Sequence, residues 1–184
     1  MNERFLLHDR TGVETLLDEM ARQILARFDD TPLVLLGVLR RGAPLADALD
    51  QRLRHARPGW PIERIDLKVK RYSDDLRLLH PETLLDANPQ QLACDFDGRR
   101  VLVVDDVLYH GHSLARVLEF LRPRGATSVH AAVLVDRCVA RLPVQAGIIG
   151  ARLQIAPGDI IECNVPPYES DLRIDLLRPH GTPP

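Results

Sequence analysis

The sequence predicts an α/β fold, a mostly parallel sheet flanked by helices, built as one domain over residues 1–184. Three observations point there. The runs Leu33–Leu39, Val101–Val104 and Val129–Val135 are so uniformly apolar that neither face can meet water, as in parallel strands buried on both sides. Helical patterns with apolar spacings of three and four alternate with them. The run Val101–Val104 also leads into two adjacent carboxylates, Asp105 and Asp106, then a glycine turn and a helix start. Ligands bind at the carboxyl edge of such sheets.

In chain order, Val13, Leu16, Leu17, Met20, Ile24, Leu25 and Phe28 mark an amphipathic helix over residues 11–28. Thr11 or Thr15 caps it, and Asp29-Asp30-Thr31-Pro32 ends it. The strand Leu33–Leu39 leads through Arg40-Arg41-Gly42-Ala43-Pro44 to a helix from about Leu45 to His55. Arg57-Pro58-Gly59-Trp60-Pro61 is a turn. Residues 62–70 alternate Ile65, Leu67 and Val69 against charged neighbours, a strand with one polar face. Residues 71–96 lack periodicity and read as a long flexible lid. Asp97-Gly98 turns the chain into the central strand 101–104. Ser113 opens a helix carrying Leu114, Val117, Leu118 and Leu121 that stops at Pro123. Residues 129–137 form the next strand, and Ile148–Ala151 a short further one. Ile160–Val165 and Leu172–Leu177, joined through Pro166-Pro167, read as a hairpin spanning about residues 158–178. The last residues, 179–184, are expected to fray.

Composition narrows the function classes. With 184 residues and 45% hydrophobic content, the chain has the length for a sizeable core. No run approaches a membrane span and the N-terminus lacks a secretory pattern, so a cytoplasmic protein is expected. Cys94, Cys138 and Cys163 are too far apart for a close-spaced zinc site, and their odd number suggests no disulfide framework. A formal charge of −2 carries no global nucleic-acid signature. RNA binding would need a local basic face, for which Arg52, Arg54, His55, Arg57 and Arg64 are the candidates. No Gly-x-Gly-x-x-Gly or Gly-Lys-Ser/Thr loop exists, which disfavours a generic nucleotide-binding domain.

The chemistry centres on residues 103–113. Free backbone N–H groups from Tyr109 to Ser113, the helix N-terminus and the Ser113 hydroxyl suit a terminal phosphate. Asp105 and Asp106 accept hydrogen bonds from vicinal hydroxyls and suit a ribose. Together they make a site for a phosphorylated sugar. His110 and His112 also invite a transition-metal reading, but two ligands rarely suffice and no third is near in sequence.

The run Val103-Val104-Asp105-Asp106-Val107-Leu108-Tyr109-His110-Gly111-His112-Ser113 resembles the phosphoribosyl pyrophosphate (PRPP) motif of the type I phosphoribosyltransferases. Asp-Asp-Val-Leu-Tyr is most similar to the PyrR branch, uracil phosphoribosyltransferases that double as regulators of pyrimidine operons. The likeness extends through Gly37-Val38-Leu39-Arg40-Arg41-Gly42, Tyr72-Ser73-Asp74-Asp75, Val133–Arg137, Leu142–Ala146 and Ile148–Gly150. It implies the type I fold with a small hood from the terminal segments, and the conversion of uracil and PRPP to UMP and pyrophosphate. Asp105, Asp106 and Arg41 would be the catalytic residues. PRPP would be held by Arg40, Arg41, Asp105, Asp106 and Val107 through Ser113, that is Val107, Leu108, Tyr109, His110, Gly111, His112 and Ser113. Tyr72, Asp74 and Asp75 would sit on the lid, and Val135, Asp136, Arg137 and Ile148 around the base. The resemblance further implies Mg²⁺ held mainly through PRPP oxygens, with no direct protein ligand, and a homodimer. The chain departs from the branch at Leu39, Ser73, His110 and His112; a protonated His112 would replace the charge of the branch's Arg. Those departures motivate two other readings: a non-catalytic PRPP- or nucleotide-sensing regulator that binds RNA, and a transferase for another base.

Overall fold

The computed structural model describes residues 3–68 and 95–179. Five strands form a parallel sheet: β2 (Leu33–Leu39), β3 (Ile62–Lys68), β4 (Arg100–Leu108), β5 (Ser128–Asp136) and β6 (Ile148–Arg152). Their order is β3-β2-β4-β5-β6, with β4 at the centre. Every neighbouring pair runs parallel. A second, antiparallel sheet combines β1 (Glu3–His8), β7 (Ile160–Asn164) and β8 (Arg173–Arg178) in the order β1-β8-β7. The terminal segments thus make the expected hood. Its C-terminal part is the expected hairpin, with Ile161 facing Leu176 and a cis peptide at Pro166–Pro167 in the turn.

The apolar runs explain the layering. Leu35, Leu102, Val104 and Leu134 pack on one side of the sheet beneath helices α1 (Arg10–Arg27) and α2 (Gly42–Ala56), together with hood residues Cys163, Val165 and Ile174. Val34, Leu36, Val101, Val103 and Val133 pack on the other, under helix α3 (His112–Leu121) and Phe96. Val13, Leu17, Met20 and Ile24 in α1 are at most 1% exposed, each at a spacing of three or four. Each such side chain contributes about 1.5–3 kcal/mol through burial. A charge at Ile24 would leave that face nothing to pack against.

Three boundaries differ from expectation. α1 is capped by Asp9, whose carboxylate accepts from Gly12 N at 2.8 Å, and not by Thr11 or Thr15. A carboxylate there satisfies an orphan N–H and meets the positive end of the helix dipole. α2 begins at Gly42, three residues earlier than its apolar pattern, so the loop after β2 is very short. β4 does not stop at Val104: pairing with β5 continues through Asp105–Val133 to Leu108–Asp136, so both carboxylates lie within the strand. β1 was not anticipated at all.

Candidate functional site

The carboxyl ends of β2, β4 and β5 lie side by side, and the hood turn stands over the first two. Gly42 makes the closest approach. A Cβ on it would lie 2.4 Å from the Val104 carbonyl oxygen and 3.1 Å from Asp105 Cα. Only glycine lets the start of α2 lie against the carboxylate-bearing part of β4.

Asp105 and Asp106 are each 2% exposed. Asp105 Oδ1 accepts from Asp106 N at 2.9 Å. Asp106 Oδ2 faces Arg41 Nη1 at 3.7 Å. Arg41 also donates from Nη2 and Nε to Glu169 Oε1, at 2.7 and 3.2 Å. The other Glu169 oxygen accepts from Val165 N at 2.9 Å. The hydrogen bond to Glu169 is the main cause raising the Arg41 pKa above the ordinary guanidinium value, and Asp106 adds to it. The same bond holds the Glu169 carboxyl below its usual range. Arg40 is exposed, with its guanidinium 4.8 Å from the centre of the Tyr168 ring, a cation–π contact. The Leu39–Arg40 peptide is cis.

At the end of β4, Tyr109, His110 and Gly111 turn the chain into α3. Gly111 has φ 90° and caps the helix, and a Cβ on it would meet Val144 Cγ2 at 2.3 Å. His112 and Ser113 occupy the first turn, where backbone N–H groups face outward without intrahelical partners. The His110 ring stacks on Tyr109 at 3.7 Å and meets His112 edge-on at 6.1 Å. Burial pushes the His110 pKa down, with Arg141, His112 and Arg137 reinforcing it. The His110 carbonyl accepts from Arg141 N at 3.1 Å, which ties the loop after β5 to this one.

Arg137, just past β5, is 6% exposed and lies over the opposite side of the loop, 4.9 Å from the Tyr109 ring centre. Its Nε has no hydrogen-bond partner among the described residues, and burial lowers its pKa. A buried guanidinium with an unsatisfied donor is ready to meet an acceptor from a ligand.

The structure therefore brings together Arg40, Arg41, Asp105, Asp106, Tyr109, His110, Gly111, His112, Ser113 and Arg137. Val107 and Leu108 contribute through the backbone, since their side chains pack into the cores on opposite sides of the sheet. Of the expected base-pocket residues, Val135 and Ile148 have no exposed surface and are enclosed in the core beneath α1. Asp136 is half-buried, with Oδ1 accepting from Cys138 N at 2.8 Å. Tyr72, Asp74 and Asp75 lie outside the described residues.

Glu169, Tyr168 and Arg141 carried no motif. Only the position of the first two after the proline turn could have drawn attention to them. The candidate basic face is charge-paired: Arg52 bonds Asp18 and Glu14, Arg54 bonds Asp50, Arg57 pairs with Asp30, and Arg64 pairs with Asp47 and Asp66. Among the described residues no group of three His, Cys, Asp or Glu side chains could hold a metal, so His110 and His112 do not form part of such a cluster. The carboxylates of Asp105 and Asp106 are oxygen donors, the type that hard cations take. No helix among the described residues is long and apolar enough to cross a membrane.

Residues 7–170 match the family described as "Phosphoribosyl transferase domain". Bifunctional protein PyrR of Elusimicrobium minutum is 30% identical over 174 residues, covering 94% of this chain and 96% of the relative. The protein of the same name from Deinococcus radiodurans is 30% identical over 172 residues, 91% of each chain. Among solved structures, hypoxanthine phosphoribosyltransferase of Trypanosoma cruzi with the product IMP superposes with a TM-score of 0.72 at 22% identity, over 97% of this chain and 91% of that one. A hypoxanthine-guanine phosphoribosyltransferase of Bacillus anthracis gives 0.74 at 15% identity, over 95% and 97%. These structures share the fold: the five-stranded parallel sheet, its helices and the separate antiparallel sheet. With residues 7–170 matching that family and a relative 30% identical over nearly its whole length, the chain belongs to the phosphoribosyltransferase family and is a relative of the PyrR branch.

Proposed function

We propose that this protein converts uracil and PRPP to UMP and pyrophosphate. The observation that carries the reading is the buried Asp105–Asp106 pair, set between Arg41 on one side and the Gly111 turn with the start of α3 on the other. That order matches the order of groups in PRPP: pyrophosphate, ribose, 5′-phosphate. The loop Tyr109–Ser113 would take the 5′-phosphate through backbone N–H groups, and Asp105 and Asp106 would take the ribose hydroxyls.

In the reaction the C1′–oxygen bond to pyrophosphate breaks and a bond from uracil N1 to C1′ forms, with loss of the N1 proton. Transfer at an anomeric carbon passes through an oxocarbenium-like state, so no protein nucleophile is needed. Catalysis rests on positioning and on charge. The two aspartates would hold the ribose, whose C1′ and ring oxygen carry the developing positive charge, and their negative charge would favour that state. Arg41 and Arg40 would stabilise the departing pyrophosphate. Mg²⁺, carried mainly by PRPP oxygens, would supply further neutralisation of that leaving group. The unsatisfied Nε of Arg137 supports a contact to a carbonyl oxygen of the base.

A regulatory role in pyrimidine gene expression through RNA, which the relatives' name "Bifunctional protein PyrR" favours, and a homodimeric assembly, which only the family resemblance implies, are parts of the same proposal. The four arginines of the α1–α2 side are paired with carboxylates, which RNA phosphates would have to replace there. RNA affinity that falls steeply with salt would support that role.

The test is a base panel. The protein is incubated with PRPP, Mg²⁺ and, separately, uracil, hypoxanthine and guanine, with nucleotides separated by chromatography. UMP alone is expected; IMP or GMP in its place would replace uracil by a purine.

A further inference from the structure

Arg41 is the residue expected to meet pyrophosphate, yet its donors are already engaged. Nε and Nη2 converge on one oxygen of Glu169, and Nη1 faces Asp106 at 3.7 Å. A carboxylate accepting from two nitrogens of a guanidinium presents what a phosphoryl oxygen would present: negative charge and lone pairs in the guanidinium plane. Glu169 is therefore a chemical stand-in for the leaving group. Beside it, Tyr168 holds the other arginine of the loop by its face. One short turn of the hood thus engages both cations of Arg40–Arg41.

The turn itself is firmly built. Tyr168 N and Glu169 N both donate to the Val165 carbonyl, at 3.2 and 3.3 Å, and Val165 is 3% exposed. The Glu169 side chain is half-buried, 22% exposed beside an Arg41 side chain at 27%. Releasing Arg41 then requires a side-chain rotation at Glu169 and no opening of the hood. The rotation also gives up the bond that Glu169 accepts from Val165 N at 2.9 Å.

We propose that Glu169 is an internal competitor for the pyrophosphate position: it occupies Arg41 in the free protein and is displaced when the diphosphate of PRPP, or free pyrophosphate, binds. This deepens the phosphoribosyl-transfer reading and rests on its assignment of Arg41. Glu169 sets the affinity for diphosphate ligands by adding the loss of its own ion pair to every binding event. It also keeps the charge of Arg41 compensated beside the buried Asp106 when no ligand is present.

Titration of the full chain with pyrophosphate and Mg²⁺ by calorimetry tests this, comparing wild type with Glu169→Gln and Arg41→Gln. Glu169→Gln keeps the shape and removes the charge, and is expected to bind pyrophosphate about tenfold more tightly. Arg41→Gln is expected to abolish binding. Glu169→Asp retains the charge but shortens the reach, and is expected to shift affinity the same way by less, so the proposal stays testable should the Gln variant perturb the turn. Unchanged or weaker pyrophosphate binding in both Glu169 variants, with wild type and Arg41→Gln behaving as expected, would overturn the competitor and leave the transfer site intact. No pyrophosphate binding by wild type or either Glu169 variant would overturn the competitor together with the assignment of Arg41.

Discussion

The loops Leu39–Gly42 and Tyr109–Ser113 close the same sheet edge on either side of Asp105 and Asp106, yet they manage charge in opposite ways. In the first, Arg41 is held by two carboxylates and Arg40 by an aromatic ring. Around the second, Arg137 keeps an unsatisfied buried Nε, and the Arg141 side chain is exposed. Burial first, and then the charges of Arg141, His112 and Arg137, oppose protonation of His110. A ligand at the first loop must replace an existing partner. At the second it need only arrive, because backbone N–H groups and positive charge are already waiting. The end of PRPP that stays attached would thus meet a preset site, while the end that leaves would meet one that is easily refilled by the protein.

Each loop depends on one glycine, and the two should fail unequally. Gly42→Ala drives a methyl into the Val104 carbonyl of the central strand, which cannot move aside. A loss of about 2–3 kcal/mol in urea unfolding is expected, with loss of transferase activity. Gly111→Ala meets the end of the Val144 side chain, which can rotate, and its main difficulty is φ 90°. About 1–2 kcal/mol is expected. Equal losses would mean that the two loops are equally constrained.

Acid should reach the second loop first. Burial holds the His110 and His130 imidazoles below the ordinary histidine range. The unfolded chain then binds protons that the fold refuses, so stability is expected to fall as pH drops through about 6.5. Glu169 behaves differently: its depressed pKa gives a contribution present above the ordinary carboxylate range, lost only as pH falls through its folded pKa. Urea midpoints from pH 7.5 to 3.5 would show the two windows, and His110→Gln should shrink only the upper one, leaving the share of His130. The smallest effect is expected from Arg141→Ala. Its exposed side chain is linked to the loop through the backbone bond to His110, and PRPP affinity should weaken about threefold, to be read by calorimetry at low salt.

Where the chain repeats a physical pattern, the sequence was legible. Buried strands announced themselves by uniform apolar content, and Asp105-Asp106 stood out as two adjacent carboxylates following such a run, at the sheet edge where ligands bind. The same uniformity hid other things. With both faces of β5 and β6 apolar, nothing distinguished Val135 and Ile148 as core residues from residues lining a pocket. β1 escaped because Glu3–His8 is short, largely exposed and paired with β8 at the far end of the chain. Non-local pairing leaves no local signature. The end of β4 was placed too early because polar residues usually mark a strand's end, whereas here pairing with β5 carries the strand past them. Glu169 was invisible for a related reason. Its role comes from where the hood turn lies over Arg41, and a single glutamate after two prolines says nothing of that.

The most direct test of the central claim is UMP formation from uracil and PRPP with Mg²⁺, run beside an Asp105→Asn, Asp106→Asn double variant of verified fold. The wild-type chain is expected to form UMP, and the double variant to lose at least about 10²-fold in rate through lost ribose positioning and cation stabilisation. UMP formation at undiminished rate in the double variant would contradict the placement of the sugar at these carboxylates, and with it the reading of this sheet edge as the transfer site.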